Sequence, residues 1–239
     1  MGAGLAPIES HTLKISVIIP VLNEEENVSA SIRSVLREPG VEVIISDGGS
    51  SDSTVQIAEG FSRVRIVRTS KPSRGLQMDE GALSAKGDVF LFLHADTVLP
   101  PNWSEAIKKC LNDKAAIAGA FTFSIASPGI SFRLIEFFSS LRCCLFTLPF
   151  GDQAIFVGKE AFFNSGGFMG LPLMEDVNII GRLKTLGKVC ILKEIVSASP
   201  RRWLKKGRAR NTFKNWFVFA LYLAGVSPDR LYRYYYCSR

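Results

Sequence analysis

Short apolar runs alternate with longer segments of mixed polarity through the first hundred positions. Ile15–Ile19, Val41–Ser46, Val64–Val67 and Val89–Leu93 are rich in β-branched and aromatic residues and read as strands. Between them, Glu25–Leu36, Asp52–Phe61 and Arg74–Ser84 have helical length. Runs without alternation suit strands covered on both faces, and strand–helix alternation implies right-handed crossovers and a mostly parallel central sheet. The pattern predicts a single α/β domain of Rossmann-like type. Farther on, Ala115–Phe132 is uncharged and of membrane-spanning length, but Thr122, Ser124, Ser127, Pro128, Gly129 and Ser131 interrupt it, so it reads as strand plus turn. Trp216–Ala224 is too short to span a bilayer. It is expected to pack on the domain or a partner, or to lie on anionic lipid.

In such sheets ligands bind beyond the carboxyl ends of the strands. Three polar clusters follow three strands there: Pro20, Val21, Leu22, Asn23 and Glu24; Asp47 to Thr54, with Gly49 and Ser50; and His94, Ala95, Asp96 and Thr97. The glycines after Asp47 permit a tight turn, and Ser51 or Asp52 can cap the helix that follows. Asp47 ends its strand without a capping duty, which leaves it free to meet a base or ribose. Asp96, delivered by Phe90–Leu93 to the sheet edge, can hold Mg²⁺ or Mn²⁺, cations that take one or two protein carboxylates and leave other positions to phosphate and water. The structural alternative is a cap for the helix after Pro100, which the distance in sequence makes less natural. His94 taken alone reads as a buried, satisfied histidine. Glu175 and Asp176 open an amphipathic segment after the loop Gly166–Gly170, where acidic residues suit the helix dipole and a carboxylate can serve as general base.

Composition changes one part of this picture. The chain has 239 residues, 47% apolar and 21% charged, which excludes a disordered or fibrous class. Its net charge of +7 is uneven: residues 1–180 carry 15 basic and 20 acidic side chains, and residues 181–239 carry 14 and 2. The basicity therefore belongs to the C-terminal part, which can meet phosphates in a nucleotide, a lipid head group or RNA; composition alone does not choose among them and does not by itself make nucleic acid the expected partner. No linker divides the chain, so the expected organisation is a tail at 1–13, one domain at 14–203 and a basic, aromatic helical extension at 204–239. Five cysteines without metal-ligand spacing point to a reduced, cytoplasmic chain, and the opening residues lack the pattern of a secretory signal.

The ordered set Pro20…Asn23-Glu24, Asp47-Gly-Gly-Ser, His94-Ala-Asp96 and Glu175-Asp176 resembles the family 2 glycosyltransferases of GT-A fold over residues 14–203. The resemblance implies that Asp47 reads the nucleobase, that Asp96 holds a Mn²⁺ or Mg²⁺ ion, and that Asp176, seconded by Glu175, removes a proton from the acceptor. The donor would be a nucleoside-diphosphate sugar, UDP being the family's usual carrier, and the acceptor a small molecule or a lipid phosphate. Two departures stand out: Gly48 follows Asp47 where a second Asp is common, and His94 occupies the first position of the Asp-x-Asp signature. More closely, Arg74–Met78, Leu93–Thr97, Gly151-Asp152-Gln153 and Arg201-Arg202-Trp203 look like a bacterial subgroup connected with arsenosugar biosynthesis and radical-SAM gene neighbourhoods. Asp152, Gln153, Arg201, Arg202 and Trp203 are then expected near the diphosphate or acceptor. The peripheral extension would touch the inner face of a membrane, if any. Two other classes compete. A nucleotidyltransferase would want a basic, glycine-rich grip after the first strand, where Glu24–Glu26 is acidic. A non-catalytic nucleotide-binding protein held on anionic membrane by its basic end would show no turnover.

Overall fold

A computed structural model describes residues 13–237, without the side chains of residues 205, 206, 208, 209 and 237. The expected N-terminal tail lies outside the described residues except for Leu13. The first half is built as its alternation predicts. β1 (Ile15–Val21), β2 (Glu42–Asp47), β3 (Val64–Arg68) and β4 (Val89–Phe92) pair in parallel in the order β3-β2-β1-β4. α1 (Val28–Leu36), α2 (Thr54–Glu59) and α3 (Arg74–Ser84) make the crossovers. Every residue of β1 and β4 is buried, because both faces are covered. Val17, Ile19 and Val21 pack with Val28, Ile32 and Val35 of α1, while Ile18 packs with Met78 and Ala82 of α3 on the other face.

α1 begins three residues later than its pattern suggests. The backbone N–H groups of Glu24 and Glu25 donate to Thr54 Oγ1 (2.8 Å) and Asp52 Oδ2 (3.2 Å), which ties the chain into a turn before the helix can start. α2 is likewise shortened, because Asp52 Oδ1 accepts the Thr54 N–H at 3.0 Å.

The second half extends the sheet as β4-β7-β6-β8-β5, with β5 (Thr97–Val98), β6 (Ala116–Ile125), β7 (Ile155–Gly158) and β8 (Lys188–Ala198). β7 is antiparallel to β4 and β6, and β5 to β8, whereas β6 and β8 are parallel. The sheet is therefore mixed but mostly parallel. Its remaining helices up to the last strand are α4 (Trp103–Leu111), α5 (Ile130–Phe146), α6 (Lys159–Asn164) and α7 (Glu175–Leu186). The uncharged stretch from Ala115 is a strand and a turn until Gly129, and α5 then begins. No described helix is long and apolar enough to cross a membrane.

α8 (Arg201–Lys206), α9 (Arg208–Leu223) and α10 (Pro228–Tyr232) follow β8. They do not trail away. Val218 and Leu231 are buried against Leu173, with Leu221 and Tyr222 beside them. Each such side chain contributes about 1.5–3 kcal/mol when fully buried, enough to hold the extension on the domain close to the start of α7.

Candidate functional site

The loops after β1 and β2 are stitched together by their own polar groups. Asn23 adopts φ 55°, a left-handed conformation that asparagine tolerates, and its Oδ1 accepts the Ser51 N–H at 2.8 Å. Ser50 Oγ accepts the Asn23 N–H at 3.0 Å. Asp47 is buried, and its carboxylate accepts the N–H groups of Gly49 (3.2 Å) and Ser50 (3.0 Å). This corrects the expectation that Asp47 has no turn to support: an aspartate ending a strand can bond the backbone two and three residues on. Gly49 at φ 95° lets the chain make that turn.

Next to this rim lies a cavity of about 740 Å³, walled by Pro20 and Glu24 after β1, Arg74 and Gln77 of α3, His94 and Ala95 after β4, and Arg202 of α8. Gln77 was not singled out from the sequence. Its Nε2 donates to the carbonyls of Val21 (2.7 Å) and Ser46 (2.8 Å), locking α3 across the ends of β1 and β2. A cavity of this size suits a ligand as large as a nucleotide.

Arg74, His94 and Arg202 also line a smaller cavity of about 130 Å³, which contains Gly151, Asp152 and Asp176. Asp176 is in the first turn of α7, and its Oδ2 accepts the Gly151 N–H at 2.7 Å. Gly151 is required here: a Cβ would come within 2.8 Å of His94 Nε2 and 3.4 Å of Asp176 Oδ2. The His94 ring and the Asp176 carboxylate thus meet over one glycine. Burial, with the charges of Arg74 and Arg202, holds His94 well below the usual histidine range, so the imidazole is neutral. Its Nε2 has no hydrogen-bond partner among the described residues, unlike the satisfied histidine that the sequence suggests. Asp152 is pushed up to about 6 by burial; the negative charges of Asp176 and Asp96 add to that, and Arg142 and Arg202 oppose it.

Glu175 differs from its neighbour. It is 1% exposed and ion-paired with Arg74 Nε through Oε1, while Oε2 has no partner among the described residues. Burial raises its pKa, against the pull of Arg74. Its geometry is that of a counterion behind the wall. Arg201 is also engaged elsewhere, by Glu24 (2.5 Å) and Glu26 (3.4 Å), whereas Arg202 Nε lies 3.5 Å from Asp96 Oδ2. Trp203 is buried against Phe123. Gln153 donates to the Phe121 carbonyl (3.0 Å) and accepts from Arg142 (2.8 Å) and from the Phe150 N–H (3.1 Å), so its amide holds α5, the turn at 151–153 and β6 together. Arg142, itself buried with its guanidinium 3.4 Å from the Phe150 ring centre, escaped the sequence reading because an isolated charge in a mostly apolar helix carries no motif.

The left-handed residues outside glycine include Asn23, Ala154 and Met174, beside the first loop, Gln153 and Glu175 respectively. Strain of this kind gathers where a fold must aim side chains. For a divalent cation the donor set is spare: Asp96 offers hard oxygens, and no described group of three His, Cys, Asp or Glu side chains could hold a metal ion. A Mg²⁺ or Mn²⁺ ion held there would need its other ligands from substrate phosphates and water.

A family model described as glycosyl transferase family 2 matches residues 16–173. The dolichol-phosphate mannosyltransferase of Pyrococcus furiosus is 32% identical over 173 residues, 69% of this chain and 43% of that protein, so the chain spans less than half of that relative. Among solved structures, the mannosyltransferase PcManGT from Pyrobaculum calidifontis in complex with GDP-Man and Mn²⁺ superposes with a TM-score of 0.67 at 18% identity, covering 91% of this chain and 66% of that one. S. aureus TarS 1-349 in complex with UDP does so with a TM-score of 0.62 at 15% identity, covering 84% and 64%.

Proposed function

The chain belongs to glycosyl transferase family 2 and has the GT-A fold, and from that premise we propose that it is an inverting enzyme that moves a sugar from a nucleoside-diphosphate sugar to a hydroxyl or phosphate acceptor. The observation that carries this reading is the pair of adjoining cavities: Arg74, His94 and Arg202 are common to both, and Asp176 lies in the smaller. The larger cavity takes the donor, UDP-linked by the family's habit, and the smaller takes the acceptor.

In one displacement the acceptor oxygen bonds to the anomeric carbon as the bond from that carbon to the diphosphate oxygen breaks. The electron pair leaves on the diphosphate, where Arg74 and Arg202 place positive charge. The acceptor proton goes to Asp176, and a phosphate acceptor would need no such transfer. A divalent cation held by Asp96 would supply further neutralisation of the leaving diphosphate. Glu175 stays with Arg74 and orients it.

The acidic run after β1 opposes the nucleotidyltransferase alternative, which needs a basic grip there. The short matches at Arg74–Met78, Leu93–Thr97, Gly151–Gln153 and Arg201–Trp203 support a place in the arsenosugar-associated subgroup. Asp176→Asn is the decisive test: it should lower turnover with a hydroxyl acceptor by roughly 10²–10⁴-fold and leave the affinity for UDP or GDP unchanged. Full turnover would remove Asp176 from the chemistry, and its absence in the parent across a donor and acceptor panel would favour a binding protein.

A membrane contact is favoured by α5. Ile130, Leu134, Phe137, Leu141 and Leu145 recur three or four residues apart along it and are all exposed, next to an extension rich in lysine and arginine. An apolar stripe beside basic charge suits anionic lipid. The parent should float with anionic vesicles at low salt and release at high salt, and Phe137→Ser should weaken flotation. No flotation at low salt would dismiss the contact.

A further inference from the structure

The family match ends at residue 173, but the wall of the larger cavity does not. After α9 the chain turns at Gly225 (φ 88°), begins α10 with Pro228 in its first turn, and continues as one wider helical turn over Arg233–Cys237. This segment is fastened down. Leu231 is buried with Leu173 and Val218, Tyr235 Oη donates to Asn215 Oδ1 at 2.8 Å, and Lys214 Nζ donates to the Tyr235 carbonyl at 2.7 Å. Fastened so, it presents Asp229, Tyr232, Tyr235 and Tyr236 to the same cavity that holds Pro20, Arg74 and His94. Tyr235 and Tyr236 border the smaller cavity as well.

Tyr232 and Tyr236 are four residues apart, their ring centres are 4.7 Å apart, and both remain exposed. Two accessible rings beside two guanidinium groups form a complementary pair of surfaces. Aromatic faces receive a nucleobase by stacking, and guanidinium groups receive phosphate oxygens in bidentate fashion. We propose that Tyr232 and Tyr236 belong to the donor-binding site and form the aromatic wall against which the base of a nucleoside diphosphate stacks. The inference rests on the donor reading given above. It assigns chemistry to a tyrosine run that has no recognisable motif and lies outside the family-matched residues.

The test is calorimetric titration of UDP and of GDP, in the presence of Mn²⁺, into the full-length chain and its variants. Tyr232→Ala and Tyr236→Ala should each bind about tenfold more weakly, the scale of losing one base–aromatic stack. Tyr236→Phe should stay within about twofold of the parent, because the π-face is kept. Tyr236→Leu keeps apolar bulk without that face and should lose as much as Ala; if it binds like the parent, the ring only packs and the proposal fails. Tyr234→Ala is the control, since that ring lies on Phe217 at 5.8 Å, and it should bind as the parent does. Melting temperatures of the ligand-free variants establish that each is folded. Folded Ala variants with parental affinity would overturn the wall while leaving the donor reading intact. A parent that binds neither nucleotide would overturn both.

Discussion

Replacing Arg74 with Met keeps much of the side chain's apolar stem and removes its charge, which isolates the buried pair behind the site. Arg74 retains access to water along a third of its side chain, but Glu175 is sealed at 1% exposure. Without Arg74 the Glu175 carboxylate loses its counterion and keeps an oxygen that already lacks a partner. Breaking a buried pair from one side costs about 3–5 kcal/mol. For a chain of this size that is a fall in melting temperature of about 6–20 °C. The loss should also depend on pH. Burial raises the Glu175 pKa above its ordinary value of 4.5, and in the variant the opposing pull of Arg74 is gone. The folded variant then holds a proton that the unfolded chain gives up, so its stability falls as pH rises above 4.5 and the deficit is larger at pH 8 than at about pH 5.5. Urea unfolding of the parent, Arg74→Met, Glu175→Gln and the double variant at both pH values checks this. The double variant should recover about half of the single-variant loss or more, because the stranded charge is removed. A loss below about 1 kcal/mol at pH 8, the worth of a surface pair, would refute the reasoning, as would a double variant no better than Arg74→Met.

Asp152→Asn should stabilise the ligand-free chain at pH 8 by up to about 3 kcal/mol, because a carboxyl raised from 3.8 to about 6 loses stability for the fold as pH climbs through that interval. Thermal melts at pH 5 and pH 8 should show the gain shrinking at the lower value, and an equal gain at both would assign it to something other than titration. UDP or GDP should bind the parent more tightly with Mn²⁺ than with chelator, and Asp96→Asn should abolish the difference; equal parental affinity in both conditions would remove Asp96 as the metal-holding residue.

The first half of the fold was legible because its strands are short apolar runs separated by helices, a pattern that local sequence carries. The antiparallel joins of β7 and β5 were not, since Ile155–Gly158 and Thr97–Val98 are too short to announce their direction and are placed by pairing with distant strands. The site divides in the same way. Of the residues picked out from the sequence, Pro20, Glu24, Arg74, His94, Ala95, Asp152, Asp176 and Arg202 line the two cavities, whereas Asn23, Asp47, Gly49, Ser50 and Asp96 do not. Glu175, Gln153 and Arg201 were chosen by the same motifs, yet their side chains are tied to Arg74, to Phe121 and Arg142, and to Glu24. Spacing can bring a residue to a strand end, but which way its head group turns depends on partners up to 177 residues away. Tyr232, Tyr235 and Tyr236 show the converse: without a motif, they are brought to the cavity by the packing of Leu231 against Leu173 and Val218 and by the hydrogen bonds of Tyr235 with Asn215 and Lys214.

The departure at position 94 is intelligible in terms of charge. The region already holds Asp96, Asp152 and Asp176 close enough that two of them raise the third. An aspartate at 94, as the family's signature would have it, would add a fourth carboxylate to that region. Like charges in a buried space oppose one another's ionisation, as Asp176 and Asp96 already do for Asp152. Neutral His94 adds no charge to that crowding, and the residue lines both cavities. The imidazole is held neutral by burial and by Arg74 and Arg202, the two groups proposed to face the diphosphate. On the proposed reading the same two arginines would attract the donor while they keep His94 from adding a third positive charge to the site.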